Sequence, residues 1–446
     1  MFISLSLFKT ENIKTTEKNM TKIIDLSARQ ILDSRGIPTV ETTVFLENGI
    51  SARASVPSGK STGQFEALEL RDKSSQYMGK SVLKAVNNVN TIIAENITGA
   101  DVFEQFKIDE ILKKTDGTQN KSKLGANAIL SVSTACAKAA AKTLGVEIFQ
   151  YLGGLYADTL PVPMMNIING GLHSDNGLSI QEFMIAPLGA ASFNEALKTG
   201  VEIFYELKDI LAKKGYSTSV GDEGGFAPDI KSAEEAFEYI LKAIENKGFI
   251  DKVYLCIDAA ASEFYVKDVY KINIKRKNKT LTSDKLVDYY CGLVNDYPLI
   301  SIEDGLADDD IEGWKYLTHK LNGKCQIVGD DLFVTNPKRL AAGIESGIAN
   351  SVLIKPNQVG TLTETIETIK LAKNYGYTTI MSHRSGETED TYIADFAVGL
   401  GCTQIKSGSL CRSERIAKYN QLLRIEDILG KTSHYSGYNA FNINFN

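Results

Sequence analysis

Four short apolar runs between Val253 and Lys355 each stop abruptly at an ionisable residue. Val253-Tyr254-Leu255-Cys256-Ile257 ends at Asp258, and Leu299-Ile300-Ser301-Ile302 ends at Glu303-Asp304. Ile327-Val328-Gly329 ends at Asp330-Asp331, and Ser351-Val352-Leu353-Ile354 ends at Lys355. Runs of this length, rich in β-branched residues and separated by helical patterns, read as buried parallel strands. Right-handed crossovers carry the C-terminal ends of such strands to one face. Three carboxylates and an amine then meet at the rim where barrel enzymes keep their chemistry. Three oxygen ligands on a rigid frame suit a hard dication such as Mg²⁺.

Any one of these acids, taken alone, is as well explained as a helix cap just past a strand. The repetition over successive strands, with a lysine in the same place, favours a site. A lysine completing a buried run is costly unless it is paired, so a structural ion pair with one of the acids is the plain alternative.

The rest of the chain gives this rim its setting. At 446 residues there is room for two domains or more, and the alternation of apolar runs with amphipathic helices from residue 156 onward predicts a β/α barrel of roughly 290 residues. Ser232-Ala233-Glu234-Glu235 and Thr361-Leu362-Thr363-Glu364 are capping boxes that open two of its helices. Before it, residues 22–155 read as an α+β domain. Thr39 to Leu46 and Ser51 to Val56 are strand-like about an Asn48-Gly49 hairpin turn, and Ala67 to Leu144 turns helical, ending in an alanine-rich segment stopped by Gly145. Between the strands and the helices lies Pro57-Ser58-Gly59-Lys60-Ser61-Thr62-Gly63, either a plain connection or a lid whose hydroxyls reach a ligand.

Residues 1–21 are read as a disordered extension, with Met20 as an alternative start. The run Phe2 to Phe8 has no basic segment before it and is too short to span a bilayer, so neither a secretory signal nor a membrane span is expected. The charge balance is mild, 49 − 55 = −6, and no basic cluster is interleaved with aromatics, so no nucleic-acid partner is expected. The six cysteines are scattered and read as reduced thiols of a cytoplasmic protein.

Other polar groups stand at places that chemistry would use. His383-Arg384-Ser385-Gly386 follows a strand and offers guanidinium, hydroxyl and backbone donors suited to a phosphate or carboxylate. Gly221-Asp222-Glu223-Gly224-Gly225, Asn169-Gly170-Gly171-Leu172-His173 and Gln181-Glu182-Phe183 are weak signals singly. Dinucleotide, Walker and serine-elbow motifs are absent, which removes support for hydride transfer, nucleotide hydrolysis and serine-based acyl transfer. Metal-assisted proton abstraction beside a carboxylate remains.

The motifs, in this order and spacing, resemble those of the enolase family. Asp33-Ser34-Arg35-Gly36-Ile37-Pro38-Thr39-Val40-Glu41 is similar to its opening signature, and Ser58 to Gly63 to its first lid loop. Gly221 to Pro228, Ser301 to Gly305, Gly329 to Leu332, Ile354 to Gly360 and Ser382 to Asp390 resemble its barrel motifs. The likeness runs from about Lys22 to the end. It implies an α/β protein in which an α+β domain (22–155) precedes a TIM-like barrel (156–446). It also implies a Mg²⁺-dependent hydro-lyase that interconverts 2-phosphoglycerate and phosphoenolpyruvate in glycolysis and gluconeogenesis.

Carried over by position, the resemblance makes Asp258, Glu303 and Asp330 ligands of a first Mg²⁺. Ser61, with substrate phosphate, would bind a second. Lys355 becomes the base at C2, Glu223 the acid at the departing hydroxyl, and Glu182 its assistant. His173, Gln181, Arg384, Ser385 and Lys406 become substrate contacts. Lys355 is then expected to be neutral, depressed by metal charge and Lys406, and Glu223 protonated. A cytoplasmic homodimer or assembly of dimers goes with the resemblance, with an additional surface or secreted pool left open. Asn446 at the end gives no C-terminal lysine for capturing a partner. Ile37, Lys60, Phe65 and Pro356 depart from the family pattern without removing a chemical group. A racemase or cycloisomerase of the same superfamily, and a non-catalytic binding protein on the same scaffold, are the competing readings.

Overall fold

The computed structural model describes residues 20–60, 63–174 and 176–445. The expected extension lies largely outside them, although Thr21 is buried and its carbonyl accepts from the Val102 amide.

The amino-terminal region begins with an antiparallel sheet, β1 (Ile23–Leu32), β2 (Pro38–Leu46) and β3 (Ser51–Ser55). Gly49 turns β2 into β3 at a φ of +83°, which a side chain would resist. Two helices pack behind, α1 (Gln105–Asp116) and α2 (Ala126–Leu144), and both end on a left-handed glycine, Gly117 and Gly145. The helical pattern expected from Ala67 onward starts later than the sequence suggests. Residues 64–82 are mostly irregular, and the first α-helix there is Leu83–Asn88. The backbone in that stretch bonds to distant partners instead: the Ala67 and Leu68 amides donate to the Gln358 and Asn120 carbonyls, and the Leu70 amide to Asn127. Asp72 takes the amides of Leu83 and Lys84 that open the helix.

Eight strands close the barrel: β4 (Val162–Asn169), β5 (Glu182–Ala186), β6 (Tyr254–Asp258), β7 (Leu299–Glu303), β8 (Gln326–Gly329), β9 (Ser351–Ile354), β10 (Thr378–Ser382) and β11 (Gln404–Lys406). The pairs from β6 through β7, β8, β9, β10 and β11 round to β4 are parallel. β5 departs from the parallel expectation and runs antiparallel to both β4 and β6. The described residues of the link from β4 to β5 (170–174 and 176–181) hold no α-helix to carry the chain back, so it returns the strand in the opposite sense.

Side-chain parity sorts the barrel into layers. Ile257, Ile302, Ile327, Val352, Ile354, Met381 and Ile405 face outward into the main core with Phe237, Trp314 and Leu340. Cys256, Val328, Leu353 and Ile380 point inward, joined by Met164 and Met184 and closed over by Phe441. A polar layer crosses the same interior, where the Gln326 amide donates to Ser301 (3.0 Å) and Gln404 (2.9 Å). Because the period is two, residues 258, 303, 330, 355 and 406 share the inward parity of their strands.

The amino-terminal region is tied to the barrel by a buried carboxylate. Asp109 of α1 accepts from the Thr363 amide (2.9 Å) and hydroxyl (2.6 Å) at the start of α3 (Leu362–Asn374), and from Gln105. Asp109→Ala strands these buried donors, and we expect a loss of about 1–3 kcal/mol. Thermal unfolding checks this through a lowered midpoint.

Candidate active site

Five inward positions of the barrel and the start of its reversed strand build the site. Lys406, at the end of β11, places its ammonium 2.9 and 3.0 Å from the Glu303 oxygens, 3.1 Å from Asp258 and 3.3 Å from Glu182. Glu182 pairs with Asp258 across the sheet, so the reversal of β5 brings the first residue of that strand to the rim where its neighbours end. Burial pulls the Lys406 pKa down, but Asp258, Glu182 and Glu303 overcome it and hold the amine well above an ordinary lysine.

A second lysine occupies the other side. Lys355 is ion-paired with Asp330, whose other oxygen accepts from the Gln358 amide (2.9 Å). Pro356, unexpected beside this lysine, opens the short helix Pro356–Val359 and leaves Lys355 extended at φ −120°. The Lys355 amide donates to Thr335 Oγ1 (2.8 Å), which fixes the residue from its backbone. Burial depresses the Lys355 pKa, yet Asp330, with Glu303 and Asp331, lifts it above the usual value. The expected depression rests on metal charge together with Lys406; the protein's own groups, Asp330 foremost, act the other way.

Across the cavity stand Glu182, Glu223 and His173, with ligand atoms within 4.8 Å of one another. His173 Nδ1 lies 3.5 Å from Glu182 and 3.6 Å from Glu223. Burial and then the Glu223 charge push Glu182 well above the carboxylate range. Burial also acts to raise Glu223, but His173, His383, Arg415 and Lys406 pull it well below that range. Of this pair it is Glu182 that holds its proton to higher pH, contrary to the expectation of a protonated Glu223. His383 is kept neutral, by burial above all. Arg415 offers a donor to its Nδ1, so the remaining hydrogen sits on Nε2, 3.6 Å from Glu223. The Glu223 loop can lie this close only because Gly225 has no side chain: a Cβ there would meet Asn169 Oδ1 at 2.1 Å.

The Arg384–Ser385 segment, read from the sequence as a candidate anion site, lines the same cavity. Arg384 is held by a fork of bonds to Glu66 (2.9 and 3.1 Å), and Ser385 Oγ accepts from the Lys60 amide (2.8 Å) and from Arg35 (3.2 Å). Gln181 reaches Asp258 (3.3 Å). One cavity is lined by His173, Gln181, Glu182, Glu223, Asp258, Asp330, Lys355, Arg384, Ser385 and Lys406, with Glu303 buried beneath it. Ser61 lies outside the described residues.

The donor set fits a hard dication. Asp258, Glu303 and Asp330 are buried, and Glu303 is pushed well above the carboxylate range by burial, then by Asp258 and, more weakly, Asp330, against the pull of Lys406. An oxygen of Asp330 lies within 4.8 Å of oxygens of Asp304 and Asp331, while Asp258 and Glu303 share Lys406. The two Asp330 oxygens are taken up by Lys355 and Gln358. Backbone in the left-handed region at Ala260 (φ +44°), Asp304 (+42°) and Val334 (+44°) turns the chain sharply just past these strands.

Several residues that shape this site were not singled out from the sequence. Asp304 accepts from the amides of Asp330 and Asp331 (both 2.9 Å) and so sets the loop that carries Asp330. Its signal, a doubled acid at a strand end, was visible. Arg415, Glu66, Gln358 and Asn166 sit in ordinary helical, loop or strand contexts and gave none.

Lys406 has a raised pKa, so its contribution to stability is complete below the unfolded lysine value and is lost only as pH rises through the folded one. Lys406→Met leaves three buried carboxylates without their cation, and we expect a loss of about 3–5 kcal/mol at neutral pH. Glu303 and Glu182 are already raised, and their uncompensated charge disappears as falling pH protonates them. The deficit should therefore be smaller near pH 5 than near pH 8, which chemical denaturation at the two values measures.

Comparison with protein families agrees over nearly the whole described chain. Residues 23–152 match the enolase N-terminal domain, and residues 157–444 match the enolase C-terminal TIM barrel domain. Among the described residues no helix is long and apolar enough to cross a membrane. With both domains matched in order around a closed eight-stranded barrel, the chain belongs to the enolase family.

Proposed function

We infer that this hydro-lyase of the enolase superfamily catalyses the reversible dehydration of 2-phosphoglycerate to phosphoenolpyruvate and water. The observation that carries the inference is that Lys355 and the Glu182–Glu223 pair line one cavity together with Asp258, Asp330 and Arg384. A base and an acid in one cavity suit removal of a proton from one carbon and departure of a hydroxyl from the next.

Asp258, Glu303 and Asp330 would hold the Mg²⁺, with a second ion recruited alongside substrate. The ions supply charge relief at the substrate carboxylate, where negative charge builds as the neighbouring proton leaves. Lys355 accepts the C2 proton on Nζ once that amine is neutral, its own proton having first passed to solvent. The C3 hydroxyl leaves as water with a proton from the Glu182–Glu223 pair, and the neutral His383 keeps its Nε2 hydrogen toward Glu223. Arg384 and Ser385 bind phosphate oxygens, while His173, Gln181 and Lys406 orient the acid. A cytoplasmic, glycolytic homodimer goes with the same reading through the family alone.

The nearest rival is a superfamily enzyme acting on an unphosphorylated acid. The buried guanidinium of Arg384 favours the phosphorylated substrate, and turnover of the two substrate types side by side separates the readings. Lys355→Ala should lower kcat by on the order of 10²-fold or more while substrate still binds, followed by the ultraviolet gain as phosphoenolpyruvate forms and by equilibrium binding. Near-wild-type kcat would sink the assignment of the base. Alanine at Asp258, Glu303 or Asp330 should each weaken Mg²⁺ binding in calorimetry, and a chelator should stop turnover until Mg²⁺ is restored.

A further inference from the structure

Lys60 joins three segments that are far apart in the chain. Its backbone is set against the barrel: Ser58 bridges Gly386, and the Lys60 amide donates to Ser385 Oγ. From there its ammonium reaches across the cavity mouth. It donates to the Leu172 carbonyl at 2.9 Å and lies 3.7 Å from Asp222 Oδ2. Leu172 directly precedes His173, and Asp222 directly precedes Glu223. An ammonium carries three donors and can serve the carbonyl and the carboxylate together.

We propose that Lys60 is a positioning residue whose ammonium ties the loop after β3 to the two loops that set His173 and Glu223. The proposal rests on the dehydratase reading for its kinetic consequence and on the three contacts for its physical content. His173 Nδ1 stands 3.6 Å from Glu223 and 3.5 Å from Glu182, so a small relative shift of the loops changes how the Glu182–Glu223 pair faces the leaving hydroxyl. The effect belongs in kcat more than in KM.

The competing account is that Lys60 acts only through its field, drawing an anionic substrate to the mouth. The two accounts give opposite signs at Asp222. If Lys60 is a tether, Asp222→Asn removes one of its anchors and lowers kcat, as Lys60→Met does. If it works by field, Asp222→Asn removes a repelling charge and lowers KM, whereas Lys60→Met raises KM.

The experiment compares wild type, Lys60→Met, Lys60→Arg, Asp222→Asn and the Lys60→Met/Asp222→Asn double variant. Steady-state kinetics are paired with hydrogen exchange of the peptides spanning residues 170–174 and 221–224. The contacts are half-exposed, so Lys60→Met should lower kcat by about two- to fivefold. Lys60→Arg should restore most of it, and the double variant should be no worse than Lys60→Met alone. Amides in both peptides should exchange faster in Lys60→Met. Unchanged exchange overturns the tether, whatever the kinetics. Additive losses, or a lowered KM with unchanged kcat in Asp222→Asn, overturn it in favour of the field. Absence of any turnover in the wild type defeats the dehydratase reading instead and leaves the exchange result to judge the tether.

Discussion

A single ammonium compensates much of the charge at the centre of this protein. Lys406 Nζ lies within 3.3 Å of carboxylates from three different strands, all of them buried. Two or more acids brought together in a dry interior repel one another and lose their hydration, and each alone would protonate rather than stay charged. The lysine lets them remain close, and their closeness is what suits the place to a dication. Lys355 does the same for Asp330 on the other side. The groups that stabilise this arrangement are thus also the candidates for its chemistry. That coupling of stability to function is expected where ionisable groups are gathered in a cleft.

The fold supplies the frame through a departure from pure parallel order. A uniformly parallel barrel would place the start of the strand that carries Glu182 at the opposite end of the molecule. Reversing β5 brings that residue beside Asp258 and within reach of His173. The same reversal leaves the two strands joined by a link whose described residues supply His173 and Gln181 to the cavity. Across that cavity, side chains from outside the barrel hold the anion-binding corner: Glu66 on Arg384, and Arg35 on Ser385. The amino-terminal region is in this sense part of the site wall.

The departures from the family pattern have mundane and informative outcomes. Pro356 begins a short helix and fits the extended backbone of Lys355. Phe65 lies under the Arg339 guanidinium at 3.8 Å, where a polar residue would lose that contact. Ile37 keeps its backbone bonds to Asp33. Lys60 alone among them reaches toward the loops of the candidate acid and imidazole.

Strand identity, the strand-end placement of Asp258, Glu303, Asp330, Lys355 and Lys406, and the N-caps Ser232 and Thr361 were legible in the sequence. They follow from local rules: a period of two along a strand, and a side-chain oxygen three residues ahead of an orphan amide. The direction of β5, the pairing of Lys355 with Asp330, and the ionisation order of Glu182 and Glu223 were not. Each depends on which groups from distant segments share a few ångströms of dry space, and electrostatic energy there varies steeply with distance and burial. His383 and Arg415 show the same division. The sequence by itself determined which residues carry titratable groups and which way their strands turn them; only the closed barrel decided which charge each one faces.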